Sequence, residues 1–117
     1  GRWWREVPVA APVGGGVVEG VVDLLAETPG GGLVVVDYKT DAVATEAEVD
    51  AAAGHHRLQA AAYAAALSSV LDRPVERAVL VFARPGGAIE REVPDLPAAI
   101  EEVRRLVTTS TEPAGAR

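Results

Sequence analysis

Apolar residues occur along the chain in short blocks that are separated by turns rich in glycine and proline. Five blocks are short and rich in valine, leucine or alternating apolar residues, which predicts strands. Two longer blocks begin with capping residues, Thr45 followed by Glu48 in one and Asp95 in the other, which predicts helices. The predicted strands span residues 2–9, 17–26, 33–39, 76–84 and 88–93, and the predicted helices span 45–71 and 95–107.

This order of elements predicts an α/β fold in which helices flank a mixed central β-sheet. The strand Leu33–Lys39 is apolar on both faces for most of its length, so we place it at the centre of the sheet. The alanine-rich stretch from His55 to Leu71 can lie close against that sheet, and Gly54 is predicted to break or weaken the helix before it. We predict one domain over residues 1–107 and a flexible tail over 108–117.

Composition excludes several classes of protein. With 117 residues, 49% hydrophobic and 24% charged, the chain can bury the core of one domain. The absence of cysteine excludes disulfides and thiolate zinc sites, and the net charge of −6 argues against a nucleic-acid binder with a broad basic face. No apolar run reaches the roughly 18 residues of a membrane span, so we expect a soluble, cytoplasmic protein. The start without methionine leads us to expect part of a longer chain.

Candidate chemistry lies on the second and third predicted strands. If the turn between them is centred on Gly30, antiparallel pairing places Asp23 opposite Asp37. Two carboxylates about 5 Å apart repel by roughly 3 kcal/mol at an effective dielectric constant near 20, so a compensating charge is needed. Strand alternation puts Lys39, the one lysine beside ten arginines, on the face of Asp37. This set suits a hard divalent cation such as Mg²⁺ and phosphodiester hydrolysis.

The pairing register decides this interpretation. A shift of one residue would send Asp23 to the opposite face of the sheet and separate the two carboxylates. Asp23 would then end a strand near solvent, and Asp37 and Lys39 would form an ordinary ion pair at a strand edge. Glu6 lies in the neighbouring strand and could border the site, although an exposed strand position is the simpler interpretation.

Three segments, taken in order, resemble the motifs of the PD-(D/E)xK nuclease superfamily. Their spacing is most similar to its RecB-like branch, the C-terminal nuclease domain of UvrD/RecB/AddA-type helicase–nucleases. The resemblance covers about residues 3–67 and implies a restriction-endonuclease-like core that lacks the N-terminal helix of the family. The segments are Gly20-Val21-Val22-Asp23, Asp37-Tyr38-Lys39-Thr40 and His56-Arg57-Leu58-Gln59-Ala60-Ala61-Ala62-Tyr63, preceded by a strand-like Trp4-Arg5-Glu6-Val7-Pro8.

The resemblance implies roles for the residues of the first two motifs. Asp23 and Asp37 would be carboxylate ligands of Mg²⁺, or of Mn²⁺, and the backbone carbonyl of Tyr38 would be a third ligand. Lys39 would be the catalytic lysine. Members of the RecB-like branch have a further acidic or histidine ligand on an upstream helix, and this sequence begins too late to include it.

The helical motif would support the site. Gln59 and Tyr63 are four residues apart and share one helix face, where the resemblance implies that they position DNA or the catalytic groups. The implied protein is a Mg²⁺-dependent deoxyribonuclease of exonuclease type that acts in DNA repair and recombination. Its implied partners are DNA and helicase motor domains on the same or another chain.

Two alternatives remain open. The proline that gives the superfamily its name is absent before the first acid. His55 and His56 cannot replace the upstream ligand, because they follow the lysine, and we expect them to cap or flank the helix. One alternative is therefore a catalytically incomplete DNA-binding or structural domain of the same fold. The other is an unrelated metal-dependent phosphatase that uses the same carboxylate pair.

Overall fold

The computed structural model describes residues 2–115, with side chains as far as Leu106. A sheet and two helices follow one another in the predicted order, which confirms the α/β class. The strands are β1 (Trp3–Val13), β2 (Gly16–Glu27), β3 (Leu33–Lys39), β4 (Val75–Arg84) and β5 (Gly87–Glu92), and the helices are α1 (Glu46–Leu71) and α2 (Leu96–Gly115).

The five strands form one mixed sheet in the order β1-β2-β3-β4-β5, with β3 central as predicted. β3 pairs antiparallel with β2 and parallel with β4. Helix α1 makes the connection between β3 and β4, because parallel neighbours need a long crossover. The predicted register is confirmed where β2 and β3 pair, since Leu24 lies opposite Val36.

Helix α1 has a defined start and a defined end. The Thr45 hydroxyl accepts the Glu48 N–H at 3.2 Å and the Glu48 carboxylate accepts the Thr45 N–H at 3.0 Å, which is the predicted capping box. At the other end, Asp72 is left-handed at φ 51° and its N–H donates to the carbonyl of Ser68. The predicted break at Gly54 was wrong, because α1 continues through it, and a weak point there stays a prediction. A glycine costs a helix only about 1 kcal/mol, which the packing of a long helix outweighs.

The core lies between α1 and one face of the sheet. The largest fully buried side chains include Phe82, Leu80, Leu33 and Val22 from the strands. On the helix side the packing surface is made largely of methyl groups, so the helix backbone lies close to the strands. Among the described side chains, Asp37 is the charged one that is buried. The buried alanines of α1 are Ala60, Ala61, Ala64, Ala65 and Ala66.

Helix α2 begins after Asp95, whose carboxylate accepts the Ala98 N–H at 3.4 Å in the predicted capping position. The helix extends past the predicted end at residue 107 and reaches Gly115. The flexible tail over 108–117 stays a prediction, and its last two residues lie outside the described residues. Neither described helix is long and apolar enough to cross a lipid bilayer.

Candidate active site

The candidate site lies where β2 and β3 separate. Their ladder ends at the pair of Leu24 and Val36, and Asp23 is the next residue of β2. The Asp23 carboxylate spans the opening, because its Oδ2 accepts the backbone N–H of Tyr38 at 2.7 Å. The carboxylate thereby binds a peptide group of β3 that would otherwise continue the ladder, and this contact fixes Asp23 beside Asp37.

Asp37 and Lys39 lie on the face of β3 that is covered by α1. Asp37 Oδ2 is 3.0 Å from Lys39 Nζ, which confirms that the two side chains share one face. Asp37 is only 4% exposed, because β3 is paired on both sides and covered by the helix. The intervening Tyr38 ring lies on the other face and is 56% exposed, while its backbone remains at the opening.

The surroundings of Asp37 disfavour its ionised form. Burial raises the pKa of Asp37, the hydrogen bond and charge of Lys39 oppose this, and the neighbouring Asp23 carboxyl raises the pKa further. The outcome is a pKa above the ordinary value, even though an ammonium is in contact. Two acids and one ammonium leave a formal excess of one negative charge in a poorly solvated place, which favours binding of a cation.

Helix α1 contributes the predicted Gln59 and Tyr63. Lys39 Nζ donates to Gln59 Oε1 at 3.0 Å, so the ammonium is held between a carboxylate and an amide oxygen. One turn further on, the Tyr63 ring packs over Gly20 of β2, where an added Cβ would lie 2.8 Å from ring carbons. Gly20 therefore makes room for the tyrosine, and residues of all three sequence motifs come together. Tyr63 packs against β2 at Gly20, whereas Gln59 is the residue of this helix that binds Lys39.

A second polar pair beside the site was not singled out from the sequence. His56 Nε2 lies 2.9 Å and 3.1 Å from the two carboxylate oxygens of Asp41. Burial acts to raise the pKa of Asp41, but the hydrogen bond and charge of His56 outweigh it and lower the pKa. The pair ties the segment after β3 to α1. Its signal in the sequence was the position of Asp41 two residues after Lys39. The expectation that His55 and His56 cap or flank the helix was wrong, because α1 continues through Gly54 and both residues lie inside it. His56 lies beside the site, and His55 packs edge-on against His56.

The available donors fit a hard divalent cation. The carboxylates of Asp23 and Asp37 and the carbonyl of Tyr38 are oxygen ligands of the kind that Mg²⁺ prefers. Among the described side chains, no group of three or more carboxylates, imidazoles or thiolates is placed to hold a metal ion. A cation at this position would therefore rely on two carboxylates, backbone oxygen and water, a coordination typical of Mg²⁺.

Comparison with known proteins supports the fold and identifies the family. The chain is similar to the solved structure titled "Crystal structure of SSO0001", with 23% sequence identity and a TM-score of 0.55 over 89% of this chain. The similarity supports the fold, and this chain spans 50% of that one. No match was found among curated proteins. The PD-(D/E)XK nuclease superfamily matches residues 1–115, and the chain therefore belongs to the PD-(D/E)XK nuclease superfamily.

Proposed function

We propose that this chain is the RecB-like nuclease domain of a helicase–nuclease and hydrolyses DNA phosphodiester bonds with the help of Mg²⁺, or of Mn²⁺. The observation that carries the proposal is the meeting of Asp23, Asp37 and Lys39 at the opening between β2 and β3. A purely structural ion pair of Asp37 and Lys39 would not need the additional carboxylate of Asp23. A single lysine paired with one aspartate would be neutral, whereas this group keeps an excess negative charge for a cation.

In this proposal, Asp23 and Asp37 hold the cation together with the carbonyl of Tyr38. The bound cation would neutralise charge on the scissile phosphate and lower the pKa of a water molecule that attacks it. The burial of Asp37 keeps bulk water away from one side of the site, which strengthens the electrostatic interactions there. Tyr38 N–H holds one oxygen of Asp23, so that carboxylate does not swing away when substrate enters.

Lys39 would contact the reacting groups directly. Its ammonium is oriented by Asp37 on one side and Gln59 on the other, both at 3.0 Å. An ammonium has three N–H donors, so one donor remains for a phosphate oxygen or for the attacking hydroxide. Gln59 is thus a positioning residue that acts through Lys39, and Tyr63 sets the place of α1 on the sheet through Gly20.

The charge of the chain supports a partner that delivers the substrate. At a net charge of −6 the domain repels a polyanion at long range, so affinity for DNA has to come from elsewhere. Helicase motor domains, on the same chain or on a partner, would supply it and would bring DNA ends to the site. DNA repair and recombination, with exonuclease-type cleavage, are the processes that this arrangement fits.

The test is cleavage of end-labelled linear DNA by the full-length protein with and without Mg²⁺. Lys39→Ala and Asp37→Ala are expected to reduce cleavage by about 10³-fold or more while the protein still unfolds cooperatively. Arg77→Ala is the matched control, because Arg77 on β4 forms an exposed ion pair with Glu92 on β5 and has no contact with Asp23, Asp37 or Lys39 among the described residues. Cleavage by both site variants at the parent rate would refute the proposal.

Two further outcomes identify the alternatives. Binding of DNA without Mg²⁺-dependent cleavage would support a catalytically incomplete DNA-binding domain. Hydrolysis of p-nitrophenyl phosphate, with polynucleotide left intact, would support a phosphatase. The parent and the three variants, assayed on labelled DNA and on the small ester, separate these outcomes from the nuclease proposal.

A further inference from the structure

The strands β1 and β2 both change face at one level of the sheet. Leu25 is buried against α1 and pairs with Trp4, whereas the next fully buried residue of β2 is Val22, which pairs with Val7. In a regular strand, residues that share a face are two apart, not three. Each strand therefore changes face between these pairs, and the residues at this change of face are Glu6 in β1 and Asp23 in β2.

Glu6 has an unusual backbone at this level. Its φ is 51°, in the left-handed region that side chains other than glycine, asparagine and aspartate rarely adopt. Glu6 and Asp23 are also the two residues that the β1–β2 ladder skips, between the pairs Arg5 with Leu24 and Val7 with Val22. Irregular positions of this kind often lie beside active sites, where they redirect a side chain.

The change of face has two effects on the candidate site. It brings Gly20 and Val22 to the face of α1, where Gly20 receives the Tyr63 ring. It also places Asp23 at the point where β2 changes face, so that the carboxylate lies in the opening and accepts the Tyr38 N–H. In a regular β2 strand, Gly20 and Asp23 would lie on opposite faces, because they are three residues apart.

We propose that Glu6 is a positioning residue whose left-handed backbone, rather than its carboxylate, sets the direction of Asp23; this inference rests on the proposed function. The Glu6 side chain is exposed and has no hydrogen bond or ion pair within the described part of the chain. It lines an open cavity of about 390 Å³ together with Arg5, Asp23, Leu24 and Tyr38. The conformation at Glu6 is therefore maintained by the pairing around it.

Substitutions at Glu6 distinguish the role of its backbone from the role of its side chain. Glu6→Asn and Glu6→Gly favour a positive φ and remove the carboxylate, whereas Glu6→Val is β-branched and opposes a positive φ. Glu6→Gln removes the charge and keeps the length. We expect the asparagine, glycine and glutamine variants to bind Mn²⁺ within about twofold of the parent, and the valine variant to bind it about tenfold more weakly.

The experiment is calorimetric titration of the full chain with Mn²⁺ alone, followed by denaturant unfolding. Glu19→Val and Glu19→Asn are matched controls, because Glu19 is an exposed glutamate in a regular part of β2 opposite Ala10. Glu19→Val should leave Mn²⁺ affinity unchanged. Glu6→Asn should raise the unfolding midpoint, whereas Glu19→Asn should lower it, because asparagine is unfavourable in a regular strand.

Each result then has one meaning. Unchanged Mn²⁺ affinity in Glu6→Val, or an equal loss in Glu6→Gln and Glu6→Val, would overturn the backbone role. If Glu6→Val does not fold, two other measurements decide the claim. Opposite midpoint shifts of the asparagine pair, together with parent-like Mn²⁺ affinity in Glu6→Asn and Glu6→Gly, support it, whereas equal shifts or a loss of affinity in these two variants overturn it. If the parent binds no Mn²⁺ and cuts no DNA, the proposed function fails, whereas opposite midpoint shifts would still confirm the conformation at Glu6.

Discussion

Removal of the Lys39 ammonium tests whether this group keeps Asp37 ionised. We consider Lys39→Met, which keeps most of the apolar stem. At the observed 3.0 Å between Nζ and Oδ2, the Coulomb attraction is about 5 kcal/mol at an effective dielectric constant near 20. Desolvation of both groups offsets part of it, and loss of one partner from a buried pair costs about 3–5 kcal/mol. We expect the free energy of unfolding to fall by about 3 kcal/mol at alkaline pH.

The loss of stability should depend on pH. Burial and Asp23 raise the pKa of Asp37, and Lys39→Met removes the neighbour that lowers it, so the pKa rises further. A carboxyl with a raised pKa in the folded state binds more protons when the protein is folded. Its contribution to stability is therefore largest below its ordinary pKa and falls as pH rises towards the folded-state pKa. At mildly acidic pH the variant should lose less stability than at alkaline pH.

Urea denaturation at two pH values measures this effect. The parent, Lys39→Met, Asp37→Asn and the double variant complete a double-mutant cycle. The double variant should regain most of the stability that Lys39→Met loses, because it leaves no ionised Asp37 without a partner. Losses that are equal at both pH values, or a double variant no more stable than Lys39→Met, would refute this account of the site.

Three further predictions concern packing and the helix. Gly20→Ala places a methyl group against the Tyr63 ring and should lower the free energy of unfolding by about 1–3 kcal/mol in denaturant titrations; Tyr63→Leu in the same chain should recover part of the loss. Thr45→Ala removes the acceptor of the Glu48 N–H and should cost about 1 kcal/mol, and an unchanged midpoint would contradict the capping role. Gly54→Ala should raise stability by about 1 kcal/mol, since nothing lies within 4 Å of the added carbon; thermal unfolding checks the sign.

Local patterns were sufficient to predict most of the fold. The apolar run from Leu33 to Lys39 predicted the central strand with its observed bounds, and the turn at Gly30 predicted the observed register of β2 and β3. The capping box at Thr45 predicted the start of α1. These features depend on residues that are close in sequence, so the sequence alone contains the physical cause. The break predicted at Gly54 does not occur, because the effect of a glycine depends on what packs around the helix.

The candidate site was only partly predictable. Alternation placed Lys39 with Asp37, and helical spacing placed Gln59 and Tyr63 on one helix face. The contact of Gln59 with the Lys39 ammonium was not predicted from that spacing. Strand alternation did not predict that β1 and β2 change face at Glu6 and Asp23, because a positive φ at a glutamate is imposed by the pairing and packing around it. The contact of His56 with Asp41 likewise joins two segments whose distance is set by the tertiary fold.

The alanine surface of α1 has a consequence for distances at the site. Ala60 and Ala64 are both fully buried, and Ala60 directly follows Gln59. Because the helix rests on the sheet through single methyl groups, these methyls act as a spacer that sets how far Gln59 stands from Lys39. A larger residue at either alanine would move the helix away from the sheet and lengthen that hydrogen bond. A change made wholly inside the core would therefore alter how the Lys39 ammonium is held at the opening between β2 and β3.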